Sequence, residues 1–202
     1  MEDIFSIDSL TPNSYLDVKN YLYDNLKDIV IKNRPIIFLC IGTDRCTGDS
    51  LGPLVGYHLK SCIPKGNFYI YGTLENPVHS KNLESIIDKL YYTFENPYIV
   101  AIDASLGKVK NIGKVFIDKK PLQPGLALNK NLPPIGDLSI TGIVNIGGNF
   151  EFLVLQNTRL YVVMNLVETI YRGIFHFILK VSKDINKLDT TFHINYMQKR
   201  EF

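Results

Sequence analysis

The stretch from Pro35 to Pro53, "PIIFLCIGTDRCTGDSLGP", decides the fold. Its first part, Pro35 to Ile41, is an unbroken apolar run too short for a helix and closed by Gly42. A strand covered on both faces reads this way. A loop follows that carries Asp44, Arg45, Cys46 and Asp49. A helical pattern then runs from Ser50 to Ile63, with Leu51, Leu54, Val55, His58, Leu59 and Cys62 expected along its buried side. Strand, charged loop and helix make the first half of a parallel β-α-β unit. The question is why so much charge stands at the mouth of a buried strand.

Outward from this stretch the same alternation continues. The pattern predicts a strand at Phe68 to Tyr71, a helix at Lys81 to Phe94 and an apolar strand at Tyr98 to Ile102. Ile112 to Ile117 alternates like an edge strand, Ser139 to Ile146 reads as a further strand, and a long helix spans Thr158 to Val181. Upstream, Ser14 to Lys32 has helical spacing behind Pro12. Strands alternating with helices predict a three-layer α/β/α sandwich around a largely parallel, doubly wound sheet. The 202 residues read as a single domain, 1–202, with an N-terminal helical segment at 1–32 and a polar C-terminal tail at 183–202. Lys119 to Pro134, with four prolines, reads as a long loop.

Composition narrows the function classes. A hydrophobic content of 46% and a charged content of 21% are ordinary for a globular protein, and a net charge of +2 gives no ground for a nucleic-acid partner. Three cysteines without CxxC spacing suit a reducing compartment. The opening "MEDIFSIDSL" has neither a basic n-region nor a long apolar core, so it does not read as a signal peptide. Leu160 to Lys180 is strongly apolar but contains Asn165, Glu168, Arg172 and His176, which marks a core helix rather than a membrane span. A cytoplasmic protein with no membrane partner is expected, and its apolar C-terminal helix could pair with a copy of itself. Six lysines against the single acid Asp118 between Ala104 and Gly136 form either a solvated surface or a basic rim for an acidic partner.

Three chemistries compete for the loop. A phosphate cradle needs free N–H groups at a helix start, but Asp49 stands at the expected N-cap, and Asp49-Ser50 replaces the Lys-Ser of a P-loop. A Cys46 nucleophile needs a histidine; His58 lies nearly three helical turns on, leaving His79. The carboxylates remain. Asp49 alone reads as an N-cap worth ~1 kcal/mol, but Asp103 stands at the carboxyl end of another apolar strand, in "YIVAIDASLG". In open α/β sheets, ligands bind outside the carboxyl ends of strands where the winding reverses. With the first three of these strands in the order 2-1-3, Asp44, Asp49 and Asp103 converge on one crevice. Two such carboxylates share a proton, and the pair can activate water and protonate a leaving group. His79, in "GTLENPVHS", should lie at the same end of the sheet, with Glu75 and Asn76 in its loop. Arg45 would pair with Asp49 or Asp44, or bind a substrate carboxylate.

These residues also carry a resemblance. "GTDRCTGDSLGP", "AIDAS", Pro124-Gly125 and "ITGIVNIGG" together resemble the YyaC family of sporulation proteins, over about Pro35 to Thr169. More distantly, "TGDSLGP", "AIDA" and Pro124-Gly125 followed by Asn129-Lys130 are similar to the germination protease of spore-forming bacteria, whose motifs read TPDALGP and IDALA. Both resemble the hydrogenase-maturation-protease fold. The resemblance implies a sporulation-associated, aspartate-dependent endopeptidase with no cofactor. Its key acids would be Asp49 and Asp103, with Asp44, Arg45, His79 and Lys130 supporting them or binding substrate. It further implies small acid-soluble spore proteins as substrates and a forespore or spore-core location. The hydrogenase-maturation relatives instead hold nickel with an acid, an aspartate and a later histidine. Asp49 and Asp103 fill the first two places, but "NLPPIGD" offers no histidine for the third. One alternative is therefore a metal-dependent processing peptidase with a divalent ion on Asp49, Asp103 and His79. The other is a non-enzymatic protein that uses the fold for binding.

Overall fold

The computed structural model describes residues 4–63, 66–124 and 134–198, with side chains of the last helix described as far as residue 185. In chain order the elements are β1 (Phe5–Asp8), α1 (Tyr15–Ile31), β2 (Ile36–Cys40), α2 (Leu51–Cys62), β3 (Phe68–Tyr71) and α3 (Leu83–Thr93). They continue with β4 (Tyr98–Gly107), β5 (Lys114–Asp118), β6 (Leu138–Ile146), α4 (Glu151–Gln156) and α5 (Leu160–Gln198).

The unbroken apolar run of β2 has its cause in its place. All five of its residues are buried, and they alternate between two cores. Ile36, Phe38 and Cys40 face α1, α2 and α5; Ile37 and Leu39 face Leu83 and Leu90 of α3. Each such fully covered aliphatic or aromatic side chain contributes roughly 1.5–3 kcal/mol. The sheet order is β1-β5-β6-β4-β2-β3. β3, β2, β4 and β6 pair in parallel, while β5 is antiparallel to both β6 and β1. The β3-β2-β4 portion is the expected 2-1-3 order, so the winding reverses between β2 and β4. The result is an α/β/α sandwich whose layers are α1, α2 and α5 on one face and α3 on the other.

Several local expectations need correction. β1 was not anticipated; it pairs with β5, which is therefore an inner strand and not an edge. β4 runs five residues past Ile102 because β6 continues to pair with it after β2 has ended. Helix α2 is rotated from its expected face, leaving His58 half-buried and Cys62 exposed. Its sheet-facing side is Leu51, Gly52, Val55, Gly56 and Leu59. The two glycines cause the rotation: a Cβ on Gly52 would lie 2.0 Å from the Ile41 carbonyl oxygen, and one on Gly56 1.9 Å from that of Gly72. Only a side without Cβ atoms can approach the strands so closely.

Helix α5 continues past Val181, where the pattern suggested an end, to Gln198. By length and composition its Leu160–Ile185 portion could cross a membrane, but half of its most apolar 18-residue stretch is buried in this body. Val163, Leu166, Val167, Ile170, Ile174, Phe177, Ile178 and Val181 form that buried side, so it is a core helix.

Candidate active site

β2 delivers the charged loop to the carboxyl end of the sheet, and tight backbone contacts shape it there. Gly42 has a φ of 137°, and a Cβ there would stand 2.1 Å from the Asp49 carbonyl oxygen. That carbonyl accepts the Thr43 N–H at 2.9 Å, closing the loop. Asp49 lies within a single 3-10 turn, Gly48–Ser50, that leads into α2. It is not the N-cap of α2; that position belongs to Ser50, whose hydroxyl donates to the Thr47 carbonyl at 2.7 Å. The capping role anticipated for Asp49 is thereby removed, and its half-buried side chain lines a cleft.

Asp103 reaches the same cleft from β4. The last β2–β4 bond is Ile41 N–H to the Ile102 carbonyl, 2.7 Å, and Asp103 is the next residue. Asp103 is 8% exposed, and its carboxyl group accepts the Ala104 N–H at 2.8 Å. Burial first, and then the neighbouring Asp49 charge, raise its pKa well above the ordinary carboxylate range; the Ala104 N–H opposes them in part.

The third wall is the loop after β3. Ile41 forms a parallel bridge with Val78, and Gly42 N–H donates to the Val78 carbonyl at 2.8 Å, so His79 is carried to the cleft. Asn82 fixes the turn from both ends, accepting the His79 N–H at 2.8 Å and donating to the Pro77 carbonyl at 3.0 Å. The His79 ring accepts the Lys81 N–H on Nδ1 at 3.3 Å. In the neutral ring this leaves the proton on Nε2, which is then a donor.

The cleft measures about 800 Å³ and includes Asp44, Arg45, Cys46, Asp49, His79 and Asp103 in its lining. Asp44 and Arg45 are exposed on its rim and form no ion pair with each other among the described residues. Lys130 lies outside the described residues. Glu75 is drawn away to pair with Lys60 of α2, and Asn76 closes a turn with Thr73. Cys46 is 7% exposed, and burial raises its thiol; the Asp49 backbone N–H lowers it, and the Asp49 charge raises it again. A buried thiol beside a carboxylate is a poor nucleophile.

Among the described residues, the side chains of the cleft do not fit a metal ion. Among the described residues no three His, Cys, Asp or Glu side chains are grouped to hold one. A ligating Nε2 on His79 would require a proton on Nδ1, the atom that now accepts from Lys81. Sequence reasoning also missed one wall: Phe152, Leu155 and Gln156 of α4. Their only signal was the break at Gly147-Gly148 followed by an aromatic pair, Phe150 and Phe152.

A reversing parallel sheet with a buried carboxyl and a second acid at the switch point defines the class: an α/β/α protein with an acidic crevice. The chain belongs to the family described as "Protein of unknown function (DUF1256)", which matches residues 6–173. It is 49% identical over 141 residues to the "Uncharacterized protein YyaC" of Bacillus subtilis (strain 168), covering 70% of this chain and 68% of that one. Among solved structures it is similar to the [NiFe] hydrogenase maturation protease HycI from Thermococcus kodakarensis KOD1. That similarity has a TM-score of 0.49 and 18% identity, covering 77% of this chain and 99% of that one.

Proposed function

We propose that the protein is an aspartate-dependent endopeptidase acting on extended polypeptides. The observation that supports this reading is the unlike carboxyl pair: Asp103, buried and with its pKa raised, beside the half-buried Asp49 in one cleft. Pairs of titratable groups whose surroundings push them apart divide naturally into acid and base. Asp49 takes a proton from water as its oxygen bonds to the scissile carbonyl carbon. Asp103 gives its proton to the amide nitrogen as the C–N bond breaks, and the proton on Asp49 restores the pair. The Nε2–H of His79 is available to orient the substrate. Small acid-soluble spore proteins, and a forespore or spore-core setting in the cytoplasm, follow from the resemblance to the germination protease and are part of this proposal.

The test is a cleavage assay on small acid-soluble spore proteins from about pH 5 to 8, with and without chelator. Wild type, Asp49→Asn and Asp103→Asn are compared. Chelator-resistant cleavage by wild type alone is expected, falling as pH rises through the Asp103 titration. Cleavage that survives both substitutions, or that needs a metal ion, refutes the aspartate pair.

A further inference from the structure

Helix α5 is apolar on two sides. Its inner side is the core face already described. On its outer side Tyr161, Met164, Tyr171, Phe175 and Leu179 recur three and four residues apart, with Glu168 in the same row. Tyr161 is 63% exposed, Met164 37% and Leu179 44%. A three-four spacing is the seam that one helix presents to another.

We infer that this outer stripe is a homodimer interface, two copies of α5 packing antiparallel about a two-fold axis near Ile170. The charge arrangement selects a second copy over another partner. Between Leu160 and Leu179 the only acid is Glu168 and the only strong base is Arg172. An antiparallel pairing centred midway between them sets each copy's Glu168 opposite the other's Arg172. The same operation sets Tyr161 opposite Leu179 and brings Met164 opposite position 176, beside Phe175. One surface is thus its own complement in both charge and apolar content, the requirement of a two-fold contact.

The stripe is about 27 Å long at 1.5 Å per residue. It broadens onto α2, where His58 stacks on Tyr171 at 4.6 Å and Tyr57, 48% exposed, packs edge-on to His58. A lipid surface suits it less well, because it would draw the two charges at its centre, Glu168 and Arg172, into hydrocarbon.

Sedimentation equilibrium over the micromolar range tests this, with circular dichroism confirming that each variant is folded. Wild type is expected to dimerise. Phe175→Glu puts a charge against Met164 of the other copy and should leave a monomer. Glu168→Arg should weaken the dimer by roughly tenfold or more through like-charge opposition, and adding Arg172→Glu should restore it. A wild type that stays monomeric, a dimer indifferent to Phe175→Glu, or a monomer that instead binds anionic vesicles overturns the inference.

Discussion

Replacing Asp103 by Asn isolates one of the two carboxyl groups on which the proposed reaction rests. The two side chains have nearly the same shape, and the Asn oxygen can keep the 2.8 Å bond from Ala104 N–H. What changes is the proton. In the unfolded chain an aspartate titrates near ~3.9; in the folded protein burial and Asp49 raise Asp103 well above that. Between the two values the folded state holds a proton that the unfolded state has lost. A raised folded pKa means that the stabilising contribution is full below the unfolded value and is lost as pH rises through the folded one. Wild-type stability should therefore fall by about 1.4 kcal/mol per pH unit across that window on this account alone, and then level off. The Asn variant lacks the term, so its advantage over wild type should grow at that slope. Urea denaturation of both proteins at stepped pH from ~4 upward measures it. Asp49→Asn removes the second cause of the shift, so its slope should end at a lower pH, while burial keeps a window open. Parallel stability curves for wild type and Asp103→Asn would falsify the claim that this carboxyl group is held protonated.

Two other outcomes follow from the same geometry. Gly42→Ala must place a Cβ 2.1 Å from the Asp49 carbonyl at a φ of 137°, so thermal denaturation should show a loss of at least ~1–3 kcal/mol; an unchanged melting temperature would mean that the loop is not held as described. Cys46→Ala should cleave substrate at the wild-type rate, since its buried thiol is disfavoured as a nucleophile. Loss of turnover in a folded Cys46→Ala protein would return the thiol to the mechanism.

The parts of the fold visible in the sequence are those where one residue type serves one environment. β2 and the first half of β4 are covered on both faces, so they read as apolar runs, and their order followed from the α/β alternation. Asp103 was visible because it interrupts the apolar pattern at the end of such a run, and Asp49 because it stands in the charged loop between the other run and its helix. β1 and α4, of four and six residues, were not visible. Elements so short have no period of their own and are fixed by pairing with β5 or by packing beside β6. The orientation of α2 was misread for a related reason. Hydrophobic periodicity favours the side with the largest residues, but the closest approach to the sheet is made by Gly52 and Gly56, which carry no hydrophobic signal.

Asp103 itself argues for chemistry over architecture. Its strand needs no acid there: Thr141, its register partner on β6, is neutral, and the bond from Ala104 could be accepted by Asn as well. Paired charges are the usual excuse for burying a carboxyl group, yet the charge acting most strongly on Asp103 is another acid, Asp49, which makes ionisation harder. A fold under selection for stability alone would remove one of the two. Keeping both at the switch point of the sheet lowers stability at neutral pH and provides a proton donor beside a proton acceptor. That is an arrangement the proposed amide hydrolysis can use.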